Sequence, residues 1–352
     1  MHIPDGYLSP STCAVMYAGA ATGWYAALRR LKRALLTRVI PLISVFAAFS
    51  FVVMMFNLPL PGGTTGHALG VTIAAIVLGP SGAILALSIA IAIQALFFGD
   101  GGISTLGANC FNMAIVGSLV AYASYRMIAM RAALGSRRRV VAAGIAGYLA
   151  VNAAALCAAI EFGIQPALFH DAGGTPLYAP YRLGVAIPAM MIGHLTFAGM
   201  AEAVISAGIV AYLQLCDKAL LRGTSGIVGV AAVTSAPVRS LRRLWIAVTV
   251  LLLLTPLGIL AAGTAWGEWS PSELAHAAGV PPVASPGASV PSGLRRLSTL
   301  WTAPFPAYAP GFVHSRSFGY LLSAMFGVGV LLCGSLVAQS IVERHRRRGS
   351  PA

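Results

Sequence analysis

Residues 71–98 read VTIAAIVLGPSGAILALSIAIAIQALFF, a run without a single Asp, Glu, Lys or Arg. A helix that crosses a membrane needs about 20 mostly apolar residues, because the hydrocarbon core is about 30 Å thick. Gly79-Pro80 divides the run, since proline cannot continue the backbone ladder of a helix. We therefore predict a short apolar span at 67–79 and a second span at 81–98.

The rest of the chain has the same character. Of its 352 residues, 58% are hydrophobic and only 9% are charged, and the mean hydropathy is +0.82. Soluble domains carry about 25% charged residues, so this chain lacks the polar groups to cover a soluble surface. A kink or tilt is expected in the long seventh span, which contains Pro188. The sequence predicts an all-α polytopic membrane protein with spans at 11–28, 38–56, 67–79, 81–98, 106–129, 139–161, 183–216, 242–263 and 318–342.

The net charge of +14 is gathered in short basic clusters between these spans. With nine spans, all the clusters fall on one side, which the positive-inside rule assigns to the cytoplasm. This pattern is typical of cytoplasmic loops in a bacterial inner membrane, and it argues against nucleic-acid binding. The prediction places the C-terminus inside, and it places the N-terminus outside with loops at about 57–66, 99–105, 162–182 and 264–317. The clusters are Arg29, Arg30, Lys32, Arg33 and Arg38; Arg126, Arg131 and Arg137–Arg139; Lys218, Arg222, Arg239, Arg242 and Arg243; and Arg344 and Arg346–Arg348.

The first ten residues, MHIPDGYLSP, form a potential metal chelator at the outer face. The first span lacks a basic segment before it, which favours an uncleaved N-terminus. The amine of Met1, the amide nitrogen of His2 and the His2 ring would then close two fused chelate rings in one plane. A planar nitrogen set suits Ni(II) or Cu(II) better than Zn(II) or Mg(II). His67, which follows the Pro- and Gly-rich loop 57–66, is the candidate for the fourth ligand.

MHIPDGYLSP and NLPLPGGTTGH (57–67) resemble the signature segments of the nickel/cobalt substrate-binding M component of energy-coupling-factor transporters. The stretches LGANCFNMA (106–114) and HLTFAGMAEA (194–203) are also similar to segments of that family. The resemblance implies a seven-span metal-binding domain over 1–220. It implies that Ni(II) or Co(II) is the transported substrate, and that Met1, His2 and His67 are its ligands.

Several other polar residues are weighed against plain structural roles. Asp5, Thr64 and Asn109 are candidates for a second shell that orients the ligands, the alternative being ordinary turn or packing hydrogen bonds. His194 and Glu202 are expected to pair with neighbouring helices or with a partner subunit and not with the metal.

Two stripes of small residues at four-residue spacing could pack against a coupling subunit, because close helix approach in lipid favours small residues. Packing within the chain is the alternative explanation for both. The stripes are Ala14, Ala18, Thr22 and Ala26 on the first span, and Ser44 and Ala48 on the second.

A cytoplasmic linker at 221–241 is predicted to lead into a two-span accessory module at 242–352. This module resembles the N component of the same transporters, which implies that its outer segment, 264–317, helps metal to enter the site. The chain departs from that family's pattern with Ser292 and Arg295 at acidic positions, and with Ala307 where an Asp is common. Part of the segment, 280–292, is compositionally a flexible linker.

The sequence contains no G-x-x-x-x-G-K-[ST] phosphate loop, so the chain is predicted to bind no ATP. As a non-catalytic subunit it would depend on partner ATPases in the cytoplasm and on a transmembrane coupling subunit of the T/Q type. Two alternatives stay open for transport: the same role for Co(II), and a self-sufficient ion-coupled carrier, for which Glu202 is the only clear acid in the first seven spans. A membrane enzyme or metallochaperone would need a nucleophile or acid–base pair, and none is evident.

Overall fold

The computed structural model describes residues 1–31, 39–60, 64–224, 238–261, 263–277 and 290–348. Parts of the predictions fall outside these ranges: Lys32, Arg33 and Arg38 of the first basic cluster, 225–237 of the linker, and 280–289 of the flexible segment. The helices are α1 (Pro10–Leu31), α2 (Val39–Met54), α3 (Val71–Ile93), α4 (Leu106–Asn109), α5 (Gly117–Ala129), α6 (Arg137–Leu168), α7 (Leu183–Gly193), α8 (Gly199–Cys216), α9 (Val238–Leu254), α10 (Pro271–Ala277), α11 (Ser292–Leu297) and α12 (Arg316–Arg348).

The prediction of an all-α polytopic membrane protein is confirmed. Among the described residues, six helical stretches are long and apolar enough to cross a membrane. The only sheet in the described residues is a hairpin of two three-residue strands, β1 (Leu58–Leu60) and β2 (Thr64–Gly66). The six stretches are 71–98, 106–129, 137–168, 183–216, 241–260 and 316–342. The count of nine crossings and the orientation remain predictions.

Helix α3 is broken where the sequence predicts two spans. Gly79 has a φ of +73°, a conformation that favours glycine, and Pro80 begins the second arm. His67 and Asp100 flank the two ends of this 28-residue stretch, and both lie next to His2. The His67 ring is 5.1 Å from the His2 ring, and Asp100 Oδ1 is 3.0 Å from His2 Nδ1. A straight helix of that length would separate its ends by about 40 Å. The chain therefore reverses at Gly79–Pro80.

In the part of the chain that the structure describes, three π-helical turns interrupt the apolar helices, at Gln94–Phe98, Cys110–Val116 and His194–Ala198. Such turns are often found at functional sites, and the first two flank Asp100 and Asn109. The predicted sixth span at 139–161 is too short, because α6 continues through Pro166 to Leu168. The outer loop predicted at 162–182 is therefore correspondingly shorter.

The second module packs on the first through both its helices and its outer segment. In the membrane region α9 and α12 contact α2, and the hydroxyl of Tyr320 donates to the carbonyl of Met55 at 2.7 Å. In the outer segment, the backbone N–H of Phe305 donates to the carbonyl of Phe97 at 2.9 Å, and that of Gly293 donates to Leu177. These contacts bring the outer segment to the end of the bundle that carries Met1 and His67.

Candidate metal centre

The first nine residues are inserted into one end of the bundle, the end that was predicted to face outward. Met1 is 3% exposed and His2 is fully buried, which is unusual for a chain terminus. The side chain of Asn109 holds the backbone of Ile3 from both sides, because its Oδ1 accepts from Ile3 N at 2.8 Å and its Nδ2 donates to Ile3 O at 3.1 Å. The backbone directly after His2 is thereby fixed.

Asp5 ties the same segment to the loop that precedes α4. Its carboxylate accepts from the backbone N–H groups of Ile103 at 3.1 Å and Ser104 at 2.7 Å, and from the Ser104 hydroxyl. Gly102 packs so closely against Asp5 that a Cβ at this position would lie 2.4 Å from the Asp5 backbone nitrogen. Asp5 and Asn109 therefore occupy positions from which they hold the N-terminal backbone.

Glu202 of α8 fixes the backbone that follows His67. The buried Glu202 carboxylate accepts from the backbone N–H groups of Leu69 at 2.8 Å, Gly70 at 2.9 Å and Thr72 at 3.3 Å. These donors belong to the first turn of α3 and the residues before it, where backbone N–H groups would otherwise be unpaired. As expected from the sequence, Glu202 pairs with a neighbouring helix and lies outside the group of candidate ligands.

The two histidines face each other. Their rings are stacked, with centroids 5.1 Å apart and an angle of 28° between the planes. His67 Nδ1 lies 3.1 Å from the carbonyl oxygen of Ala68, so this nitrogen carries the hydrogen and Nε2 keeps a lone pair.

Both ring nitrogens of His2 are buried and have no hydrogen-bond partner. Nδ1 lies 3.0 Å from Asp100 Oδ1, within ion-pair distance, but the angles of a hydrogen bond are not met. Buried polar groups in proteins are almost always paired, so an unpaired imidazole calls for an explanation such as a bound ion. As a neutral ring, His2 can therefore offer the lone pair of one nitrogen to a metal ion, while the other nitrogen carries the hydrogen.

Two carboxylates at this site, Asp100 and Glu268, were not predicted from the sequence. Glu268 Oε1 accepts from the Met1 ammonium group at 2.9 Å, and Asp100 Oδ2 accepts from the hydroxyl of Tyr308 at 2.6 Å. Burial alone would raise the pKa of Asp100, but its contacts with His2, His67 and Tyr308 bring it below the ordinary value. The sequence did contain a signal for these two residues. The chain has only nine acidic residues, and both Asp100 and Glu268 fall in predicted outer segments.

Several predicted residues lie elsewhere. Thr64 is half-buried in β2, opposite Leu60. His194 is buried in a π-helical turn, with its Nδ1 2.7 Å from the carbonyl of Met190. A second buried acid within the predicted spans, Glu161, accepts from the Asn112 amide at 3.0 Å, which corrects the expectation that Glu202 stands alone.

The two small-residue stripes differ in exposure. The face of α1 that carries Ala14, Ala18 and Thr22 is exposed. Ser44 and Ala48 are buried in α2, and the Ser44 hydroxyl lies 3.4 Å from the carbonyl of Leu331 in α12. The second stripe is therefore covered within this chain.

A membrane bundle with an amine, two imidazoles and two carboxylates gathered at one end has the ligand set expected of a metal-handling membrane protein. Residues 2–220 match the family described as the cobalt uptake substrate-specific transmembrane region, and the chain belongs to this family. It is a family of transport proteins, as the prediction of a non-catalytic subunit stated. The family match extends over the bundle and ends before the second module.

The relatives extend the similarity beyond that match. The chain is 52% identical to the fused nickel transport protein NikMN of Rhodobacter capsulatus, covering 99% of this chain and 100% of the relative. It is 43% identical to the probable fused nickel transport protein LarMN of Lactiplantibacillus plantarum, covering 78% and 79%. A crystal structure of a truncated transition metal transporter superimposes with a TM-score of 0.57 at 51% identity, covering 61% of this chain and 99% of that one. The resemblance to a nickel/cobalt substrate-binding component fused to a second component is thus confirmed.

Proposed function

We propose that this chain is the substrate-specific subunit of an ATP-driven nickel uptake transporter. It binds Ni(II) with four nitrogens in a plane: the Met1 amine, the His2 amide, His2 Nδ1 and His67 Nε2. The observation that carries the proposal is the buried pair of imidazoles, in which His2 has no hydrogen-bond partner and His67 keeps Nε2 available. A square-planar nitrogen set favours Ni(II) among the divalent ions of the first transition row, apart from Cu(II).

The proposal includes the organisation of the whole chain. The metal-binding domain is 1–220, the linker is 221–241 and the accessory module is 242–352, with the N-terminus outside the inner membrane and the C-terminus inside. Energy comes from cytoplasmic ATPase subunits, which act through a transmembrane coupling subunit. The exposed stripe of Ala14, Ala18 and Thr22 is a docking surface for that subunit, and Asp5 and Asn109 orient the ligands.

The first experiment compares Ni(II) binding by the native chain and by a version with three residues added before Met1. An extension of three residues is preferable to one, because a single added residue would place the histidine third and create a new four-nitrogen chelate. We expect the native chain to give a diamagnetic, square-planar Ni(II) spectrum and the extended chain to lose it. Intact-mass measurement checks that Met1 begins the mature chain.

His67→Gln tests the fourth ligand, and His170→Gln is its control. His170 is exposed and lies on the loop after α6, outside the candidate centre. His67→Gln should weaken Ni(II) binding by more than about 100-fold, which is the upper end of what changes outside the ligand shell cost. Equal binding by the native and extended chains, or by His67→Gln and the native chain, would disprove the four-nitrogen site.

Two other functions are distinguished by related measurements. The family description favours cobalt, and tighter binding and faster uptake of Co(II) than of Ni(II) would assign that metal. A self-sufficient carrier would need acids along an internal path. Uptake in vesicles that contain only this chain would support that alternative, whereas uptake that requires the ATPase and coupling subunits supports the proposal.

A further inference from the structure

The carboxylates of Asp100 and Glu268 share with His2 a second possible arrangement around a metal ion. One ligand atom from each of the three side chains lies within 4.8 Å of the other two. Asp100 follows the second arm of the α3 region, and Glu268 belongs to the outer segment of the second module. We propose that these three residues form a capture site, which holds a hydrated divalent transition-metal ion before it reaches the four nitrogens. The capture site rests on the proposed function, since it feeds the same centre.

The geometry around His2 supports two ligands of one ion over a hydrogen-bonded pair. His2 Nδ1 and Asp100 Oδ1 are 3.0 Å apart, yet they do not have hydrogen-bond geometry. Adjacent ligands of an octahedral ion, at bond lengths of about 2.1 Å, are about 3.0 Å apart with their lone pairs converging on the metal. The fully buried imidazole of His2 thus has no hydrogen-bond partner, and its Nδ1 lies at the distance from Asp100 Oδ1 that two ligands of one ion would have.

The chemistry of the ligands indicates which set is available first. Carboxylate oxygens and a neutral imidazole nitrogen offer lone pairs without any rearrangement of hydrogen. The Met1 amine is an ammonium group that donates to Glu268, and an amide nitrogen carries its hydrogen until a metal replaces it. A mixed oxygen and nitrogen set of this kind suits a six-coordinate ion that keeps part of its water. An arriving ion therefore meets the capture site before the planar set can close.

The second module supplies part of this site. The hydroxyl of Tyr308, from the outer segment, donates to Asp100 Oδ2 and leaves Oδ1 facing His2. Glu268 comes from the same segment. The capture site is therefore complete only while the outer segment is packed on the bundle, which gives that segment a direct chemical contribution.

Mn(II) is the probe that separates the two sites, because it prefers oxygen ligands and forms no square-planar nitrogen complexes. Binding of Mn(II) to the full chain is measured by electron paramagnetic resonance. We expect one Mn(II) per chain, lost in Asp100→Asn and in Glu268→Gln. His67→Gln should keep it, since His67 belongs only to the planar set. Glu273→Gln, the same change at an exposed acid of the same outer segment, is the matched control.

Rapid mixing with Ni(II) tests the order of events. Glu268→Gln should slow the appearance of the square-planar spectrum by about tenfold, with its final amplitude retained. A purely positioning role would instead weaken the final complex and leave the association rate unchanged. Glu268→Asp, which keeps the carboxylate, should restore both Mn(II) binding and the fast phase, and it guards against loss through misfolding.

The inference is overturned if the native chain binds no Mn(II), if binding is unchanged in Asp100→Asn and Glu268→Gln, or if Glu268→Gln loads Ni(II) at the native rate. These results are separable from failure of the four-nitrogen site. That site fails if Ni(II) never gives a square-planar spectrum, whatever Mn(II) does.

Discussion

The membrane helices and the outer segment of the second module are attached to the bundle in different ways. In the apolar windows of α9 and α12, only 17% and 28% of residues are buried, against 67% in the α3 region. The outer segment, in contrast, buries Leu294 completely and brings Glu268 and Tyr308 to the candidate metal centre. The difference shows that the outer segment is buried against the bundle to a greater depth than the helices of the second module, and the proposed capture site gives that burial a role.

The largest loss of stability is expected from Glu202→Ala, which removes the carboxylate that fixes the backbone after His67. Three backbone N–H groups near His67 would lose their acceptor, and each unsatisfied buried donor costs about 1–3 kcal/mol. Unfolding in detergent should become easier by about 3 kcal/mol or more, and the Ni(II) affinity should fall with it. Glu202→Gln keeps one acceptor oxygen, so its stability and its Ni(II) affinity should lie between those of the native protein and Glu202→Ala. An unchanged affinity would show that His67 is positioned independently of α8.

A comparison of Leu294→Ala with Leu253→Ala tests whether the outer segment is attached to the bundle more firmly than the helices of the second module. Leu294 is fully buried against the N-terminal segment at Gly6, whereas Leu253 of α9 is 60% exposed. The first change should destabilise the protein by about 2–5 kcal/mol, and the second by less than about 0.5 kcal/mol. Thermal unfolding of both variants in the same detergent measures the difference. Equal effects would mean that the helices and the outer segment are equally coupled to the bundle.

Asn109→Ala should cost about 1–3 kcal/mol, since it leaves the backbone N–H of Ile3 without an acceptor. The Ile3 carbonyl keeps its bonds from the backbone N–H of Gly102 and the hydroxyl of Thr105. We expect Ni(II) affinity to fall by about 10–100-fold, the range for residues that orient metal ligands. Asn152→Ala is the control, because Asn152 is buried and bonds the carbonyl of Tyr148 in its own helix. Titration calorimetry of the pair separates a local effect on the site from loss of a buried amide in general.

The smallest effect on the affinity for Ni(II) is expected from Tyr308→Phe. The hydroxyl contacts Asp100 and Gln94, while the ring stacks on Phe98 at 4.6 Å and would remain. Loss of one charge-assisted hydrogen bond should cost about 1.5–3 kcal/mol at most, and it should slow Ni(II) loading more than it weakens the final complex. Tyr212→Phe, an exposed tyrosine of α8, is the reference variant. A change in affinity without a change in rate would place Tyr308 with the planar set.

Much of the fold could be predicted because membranes impose simple rules. Apolar length predicted the helices, and Gly79-Pro80 predicted the reversal between two antiparallel arms. The end of α6 was predicted too early, because a proline near a C-terminus removes one hydrogen bond without ending the helix. Of the candidate site, Met1, His2 and His67 were proposed from the sequence, since a terminal amine followed by histidine is a chelator by local covalent geometry.

What the sequence by itself determined is therefore whatever follows from local chemistry: the apolar helices, the break in α3 and the candidate chelate of two successive residues. Tertiary structure alone decided which distant groups surround that chelate. Asp100 and Glu268 are 168 positions apart and meet at His2 and Met1 only because the outer segment folds back on the bundle. The same holds for Glu202, which reaches the residues after His67 from α8. Side-chain contacts over such separations depend on the packing of whole helices, and no pattern within a short stretch of sequence encodes them.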